Sequence, residues 1–569
     1  MRKRVRTALL AGVTAVLAIG GIGCSSSKPE PSADVKGKDG EKAESKYAKK
    51  LEIKFTGSWT KGKTEDGSWV QKKLEDMFNV KIINTKVDTW NKDQVALLIA
   101  SGDLPDTFAF TANSKTPREM YETGMTRTIP KDMIVKYAPK YAKMLDENPP
   151  GWQINLASGK TDEYVALTGH QTHTEGLLWT PTFRLDWLEK LGIKPPGEIK
   201  AVGPSGGRER IYFTDKAYTL EEIEKILMAF TFNDPDGNGK NDTYGLSPYN
   251  NAYDTWSATL MGAFGIGSGY SLLEDNKLIM AETSKAYKDY LKLLAKWYKM
   301  GVIDPEWTTL NDKKSWEKYA TGKIGYYSAQ RAYIALDDWA KERAPQNLVQ
   351  KDQTVKLLAT APEIGPNGQQ GHKSYRPVNL LGDAFYINKN VSDEELIRIL
   401  QMFDYINFDE EGARWTKYGE IGTHSVWEGT PDKSALKVKE GFTAEEGSTG
   451  FYAYSFRSYD KKQLQYFTSE YTMNLIRDFF AKPDVMKKME IRPYKYDLLD
   501  QTKGSDVQKK YGTQLSTIVE EFRMKAIVGQ LDIDKEWDGY VKKWTDAGGA
   551  QLLQELDKAP KVEDLLKMK

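Results

Sequence analysis

Nine residues in the middle of the chain, Asp234-Pro-Asp236-Gly-Asn238-Gly-Lys240-Asn-Asp242, carry an oxygen side chain at nearly every second position. Counting Asp234 as position 1, side-chain ligands fall at 1, 3, 5 and 9 and the Lys240 carbonyl at 7, with Gly239 at 6, where a sharp turn is needed. Three carboxylates and an amide around one point repel one another unless a cation sits among them. Many hard oxygen donors select a hard divalent ion, and calcium fits the spacing best. The bidentate Glu that an EF-hand-type loop carries at position 12 is missing, because that position is Gly245. The predicted order is helix, loop, strand. The ion's expected role is structural, since no neighbouring group suits a metal-activated water. The plainer alternative is a polar turn without an ion.

Catalytic chemistry has fewer candidates. The four histidines are His170, His173, His372 and His424. His170-x-x-His173 lacks the adjoining Glu and the third ligand of a zinc site. Gly265-Ile-Gly-Ser-Gly269 has neither nucleophile-elbow nor P-loop spacing. Carboxylates are abundant, which leaves a glycosidase pair open as an alternative. No enzyme is expected. Lys plus Arg (81) balances Asp plus Glu (80) to a net charge of +1, which argues against a nucleic-acid partner.

Cys24 is the only cysteine, so the chain after it has no disulfide, thiol nucleophile or cysteine-based metal site. Ahead of it, Arg2, Lys3, Arg4 and Arg6 form a basic start, and Ala8 to Ile22 is small or apolar. That run has the length of a signal-peptide core and is short for a membrane span. Gly21-Ile-Gly-Cys24 resembles the lipobox of bacterial lipoproteins, with Gly21 where that pattern prefers Leu. The resemblance implies a signal peptide over 1–23 and a diacylglycerol, with acyl chains such as palmitate, on Cys24. An uncleaved signal anchor is the alternative, and either places the chain's body outside the cytoplasm. Residues 24–48 are Ser, Lys, Glu, Gly and Pro with hardly an apolar side chain, the composition of a disordered tether. Such a tether would span roughly 25–30 Å.

Folded elements begin at Leu51-Glu-Ile-Lys-Phe55, which alternates as a strand. Helices are predicted over Ser68–Phe78 and Lys92–Ala100, with Gly102 as a stop, and strands over Val80–Thr85 and Thr107–Phe110. Capping boxes at Thr219–Glu222 and Ser392–Glu395 open two further amphipathic helices. Alternating strands and helices predict an α/β chain with a mostly parallel sheet.

Phe232 to Leu246, around the acidic loop, resembles a segment of extracellular solute-binding proteins of family 1. These are the capture subunits of carbohydrate ABC importers, in the subgroup with the LplA-like lipoproteins and the calcium-containing alginate-oligosaccharide-binding proteins. Further segments match in order: Ser101–Asp106, Phe183–Gly192, Gly301–Glu306, Gly322–Gly325, Glu536–Tyr540 and Gly548-Gly549. One departure is Thr243, where calcium-binding members commonly have an acidic residue.

The resemblance implies an α/β, two-lobed periplasmic-binding-protein-like fold of type II that closes on ligand about a hinge. The N-terminal lobe would comprise 49–168 plus about 380–425, and the C-terminal lobe 169–379 plus about 426–569. It also implies a non-catalytic monomer at the outer face of the cell membrane. That monomer would capture an oligosaccharide or sugar derivative and dock on ABC permease subunits. An extracellular carbohydrate-active enzyme, or capture of peptides or another solute, are the alternatives.

Sugar faces stack on flat apolar rings while polar groups fix the hydroxyls. With 15 Trp and 31 Tyr the chain is rich in such rings, so the context of each decides its role. Trp59 and Trp90 follow strands; Trp179 lies past the first crossover; Trp256 follows the acidic loop; Gln330 and Arg331 follow a strand; Trp415 and Tyr418 precede a Gly-rich turn. These are the candidate ligand contacts, and Arg331 and Arg376 are candidates for an acidic sugar. Trp187, Trp297 and Trp316 sit in helical patterns and are expected in the core.

Overall fold

The computed structural model describes residues 47–113, 115–147, 149–169, 179–248, 258–337, 340–371, 384–429, 435–442, 451–456, 466, 469–482, 485, 489–497 and 502–567. Cys24, the signal segment, most of the tether, His170, His173, Trp256, His372 and Arg376 lie outside them.

Apolar alternation in Leu51–Thr56 builds a strand that pairs in parallel with Val80–Asn84 and Thr107–Phe108. The later strand Ala384–Ile387 joins antiparallel to Thr107–Phe108 and to Leu167–Thr168, completing a five-stranded sheet. Because successive side chains face opposite sides, Phe385 enters one core with Ile53, Phe55, Leu74 and Phe403, while Tyr386 enters another with Ile99, Phe108 and Met120. Helix Trp69–Phe78 is capped by the Ser68 side chain, and helix Asp393–Phe408 by the expected box of Ser392 and Glu395.

A second, six-stranded sheet runs in the order Tyr244–Leu246, Ile324–Gln330, Trp179–Arg184, Leu357–Ala359, Ile211–Phe213, Lys200–Ala201. Here the mostly parallel expectation gives way to a mixed sheet. Trp179–Arg184 is antiparallel to both neighbours. This sheet has its own core, built from Phe183, Phe230, Tyr290, Trp297, Ile324 and Leu357. Helix Leu220–Phe232 carries the predicted box of Thr219 and Glu222 and buries Ile223, Ile226, Leu227 and Phe230. Trp187 and Trp297 are buried as expected, and Trp316 is half-buried beneath the Arg343 guanidinium. Helices Gly504–Ile527 and Ile533–Trp544 also bury their apolar faces in this core.

The molecule is thus an α/β protein of two lobes, each with its own sheet and core. Residues 451–456 lie beyond the expected return to the second lobe, yet they pack in the first. Tyr454 meets Phe55 at 5.5 Å between ring centroids and Phe456 meets Phe385 at 4.4 Å, so their aromatic surface finds its burial there. Ion pairs Arg118–Asp506 (3.3 Å) and Lys509–Glu119 join helix Pro117–Glu122 of the first lobe to helix Gly504–Ile527 of the second. No helix among the described residues is long and apolar enough to cross a membrane.

Candidate functional site

Loops leaving the carboxyl ends of parallel strands are where open α/β sheets bind ligands. In the first lobe those loops carry Trp59 and Trp90, whose ring centroids lie 5.4 Å apart at 44°. Threonine hydroxyls tie the two loops together. Thr89 Oγ1 donates to the Ser58 and Thr60 carbonyls (2.8 and 3.1 Å), Thr60 Oγ1 to the Val87 carbonyl (3.0 Å), and Thr111 Oγ1 to Ser58 (3.0 Å). Trp90 stays 38% exposed, with the Lys61 ammonium 4.4 Å from its ring centroid. Trp59 is half-buried, and its Nε1 is enclosed with no hydrogen-bond partner among the described residues. An indole N–H left so is costly until an acceptor meets it.

Tyr452 abuts Trp59 edge-on at 5.8 Å, and Tyr418 abuts Tyr452 at 5.5 Å. Tyr452 was not among the residues expected at the site; only the packing of 451–456 against the first lobe brings it there. Tyr418 is 4% exposed and supports this aromatic row from behind. Trp415 requires a correction. It is 1% exposed, meets Trp69 edge-on at 5.5 Å and donates from Nε1 to the Tyr405 hydroxyl at 3.1 Å. Its helix, Glu410–Tyr418, turns it into the core, so it has no face left for a ligand.

In the second lobe Trp179 and Gln330 are partners in register, at the start and end of adjacent antiparallel strands. Both are half-buried, and Trp179 meets Tyr333 edge-on at 6.0 Å. Arg331, next in the chain, is 4% exposed, so its guanidinium is enclosed in protein and not displayed to solvent. In the same lobe, Glu363 Oε1 accepts from the Tyr326 hydroxyl (2.5 Å) and from Thr259 Oγ1 (3.3 Å). Burial pushes this carboxyl up to about 7, the hydroxyls offsetting only part. Asp337 is likewise raised by burial to about 6, and Ser469 and Thr472 donate to it. Raised carboxyls suit general acids, yet each of these two is held by hydroxyls in the manner of a structural group.

The acidic loop adopts the predicted turn, with Gly239 at φ 78°. Asp234 accepts the N–H groups of Asn238 and Gly239 at 3.0 Å each. Asn238 Oδ1 accepts the Lys240 N–H, and its Nδ2 donates to Asp236 (3.1 Å) and Asp242 (3.0 Å). Sequence reasoning missed Lys323. Its ammonium lies 2.7 Å from Asp236 Oδ2 and 2.8 and 2.9 Å from the two Asp242 oxygens. Hydrogen bonding from Lys323 holds Asp242 below the usual carboxylate range. Lys323 itself is raised, its partial burial being outweighed by the two carboxylates. Thr243 Oγ1 donates to the Phe230 carbonyl at 2.7 Å, which commits it to the end of the preceding helix. A Cβ at Gly245 would lie 2.8 Å from Leu227 Cα, so the strand's approach to that helix leaves no room for a Glu at position 12. Among the described residues, no group of three or more His, Cys, Asp or Glu side chains could hold a metal ion. The oxygen donors of Asp234, Asp236, Asn238 and Asp242 are nevertheless of the kind a hard cation takes, and the Lys323 ammonium pairs with two of them.

No protein-family model matches the chain. It is 25% identical over 390 residues to Lipoprotein LipO of Bacillus subtilis (strain 168), covering 66% of this chain and 67% of that one. It is 24% identical over 506 residues to the polygalacturonan/rhamnogalacturonan-binding protein YtcQ of the same strain, covering 84% and 86%. Among solved structures it is similar to an HMO-binding, ABC-transporter-associated solute-binding protein of Bifidobacterium longum infantis. There the TM-score is 0.64 at 16% identity, over 91% of this chain and 99% of that one. Alginate-binding protein AlgQ2, solved without calcium ion, gives a TM-score of 0.59 at 18% identity over 90% and 98%. An EF-hand mutant of the S. pneumoniae ABC-transporter substrate-binding protein FusA, in complex with fructo-nystose, gives 0.59 at 19% identity over 90% and 98%. The two-lobed solute-binding fold is therefore the fold of this chain. The resemblance drawn from the ordered motifs agrees with relatives and structures alike.

Proposed function

We propose that the protein captures an oligosaccharide or sugar derivative between its lobes and delivers it to an ABC permease without chemistry. The observation that carries this reading is the Trp59–Trp90 pair, fixed by threonine hydroxyls at the carboxyl edge of the first sheet, with Trp90 38% exposed. A pyranose offers an apolar C–H face for such rings and hydroxyls for polar groups around them. Trp179 and Gln330 supply the opposing wall, and Trp256, outside the described residues, is a further proposed contact. The sugar-binding and lipoprotein relatives support the substrate class and an extracellular address. The lobes are assigned as 49–168 plus about 380–425, and 169–379 plus about 426–569, with 451–456 added to the first. The protein works as a monomer, held by a lipid on Cys24 at the outer face of the cell membrane.

The acidic loop is proposed as a structural calcium site, held by Asp234, Asp236, Asn238, the Lys240 carbonyl and Asp242. The ion would cross-link the loop between helix Leu220–Phe232 and strand Tyr244–Leu246, and it takes no part in capture. A thermal-shift screen of oligosaccharides with and without EDTA tests both readings, because a native-state ligand raises the melting temperature by mass action. A melting curve that no oligosaccharide moves would overturn capture. A curve that EDTA leaves unchanged in calcium-loaded protein would overturn the metal.

A further inference from the structure

We propose that Lys323 is the resident cation of the Asp234–Asp242 loop, and that calcium must displace its ammonium to bind. This rests on reading the loop as a calcium site. Lys323 lies outside the loop in sequence, immediately before strand Ile324–Gln330, and its carbonyl accepts the Tyr244 N–H at 2.9 Å. That backbone bond places the side chain beside the loop, where one ammonium reaches three carboxylate oxygens at 2.7–2.9 Å. These are oxygens that calcium would take at about 2.3–2.6 Å. An ion on Asp236 Oδ2 and Asp242 Oδ1 would therefore stand within about 5 Å of Lys323 Nζ, where like charges repel. The two cations exclude each other.

The remaining loop chemistry sharpens this competition. Thr243 is spent on the Phe230 carbonyl and Gly245 has no room for a side chain, so neither adds a donor to help the ion. Asp234 is already engaged by two backbone N–H groups, which keep it low despite its desolvation. Lys190 caps the Asp234 and Pro235 carbonyls (3.3 and 3.1 Å) and brings a second positive charge to the loop. The loop is thus closed by protein cations before any metal arrives. Its calcium affinity is set by what the ion must push aside.

The test is calorimetric titration of calcium into metal-stripped full chain, comparing wild type with Lys323→Gln and Lys323→Met. Releasing the ammonium's charge-assisted bonds is expected to tighten calcium binding by about 10-fold in both variants. Tightening, or binding by the variants alone, supports the proposal. Equal affinity in all three proteins overturns the competition and leaves the calcium site standing. No binding heat from any of them overturns the competition and the calcium reading together. Using two neutral replacements keeps the comparison if one folds poorly.

Discussion

Replacing Glu363 by Gln isolates a stability term that depends on pH. The carboxyl is fully buried and raised from 4.5 to about 7, chiefly by desolvation. A raised carboxyl binds its proton more tightly in the folded state than in the unfolded chain. Stability is therefore lost as pH rises from the unfolded value through about 7, and the penalty is complete above that. Moving the group from 4.5 to about 7 corresponds to an upper figure of about 3 kcal/mol. Asp337 and Asp404, each raised to about 6 by burial, contribute the same sign but have finished titrating near pH 7. His424 is lowered by desolvation and acts oppositely, its stability contribution growing as pH rises toward 6.5. The difference between E363Q and wild type cancels all three. Glutamine keeps the shape and is neutral at every pH, so E363Q should match wild type near pH 5 and exceed it at pH 8. The gain should be about 1–3 kcal/mol in denaturant melts, read at pH 5, 6.5 and 8. A difference that is flat across pH, or that favours wild type at pH 8, would refute the assignment of Glu363 as a buried, protonated acid.

Other outcomes follow from the site and the loop. Trp59→Ala and Trp90→Ala should each weaken oligosaccharide binding by about 10-fold, with little change in melting. Trp415→Ala should instead cost about 3–5 kcal/mol of stability while ligand affinity of the folded protein is kept. Gly245→Glu, which restores the missing EF-hand ligand on paper, should lower the melting temperature and leave calcium affinity no better. The reason is that its Cβ meets the Leu227 backbone at 2.8 Å. Radioactive fatty-acid labelling of the expressed protein should disappear in Cys24→Ala; label retained in that variant would show that Cys24 does not carry the lipid.

Local rules made much of the framework legible. Ser68, Thr219 and Ser392 announce helix starts, and the structure uses each as a cap. Gly239 and the spacing of Asp234 to Asp242 likewise dictate the turn, because those constraints act within nine residues. What stayed hidden depends on partners far along the chain. Lys323 reaches Asp242 across 81 residues, and Tyr454 hydrogen-bonds Asn84 across 370. Tyr452 reaches Trp59 by the same return of 451–456 to the first lobe. Trp415 precedes a Gly-rich turn in the sequence, but helix Glu410–Tyr418 buries it. Its neighbours on Trp69 and Tyr405 come from other elements that no local pattern reveals. The mixed second sheet has the same origin: strand order is set by how the chain crosses between lobes, not by any strand's own sequence.

Capture without chemistry leaves the ligand unchanged. Isothermal titration of the full chain with purified oligosaccharides, followed by mass spectrometry of the recovered ligand, tests it most directly. Saturable binding of at least one oligosaccharide is expected, weakened about 10-fold in Trp59→Ala, with every bound molecule recovered at its original mass. Cleaved or modified sugar in the recovered pool, or saturable binding that is indifferent to Trp59, would contradict it.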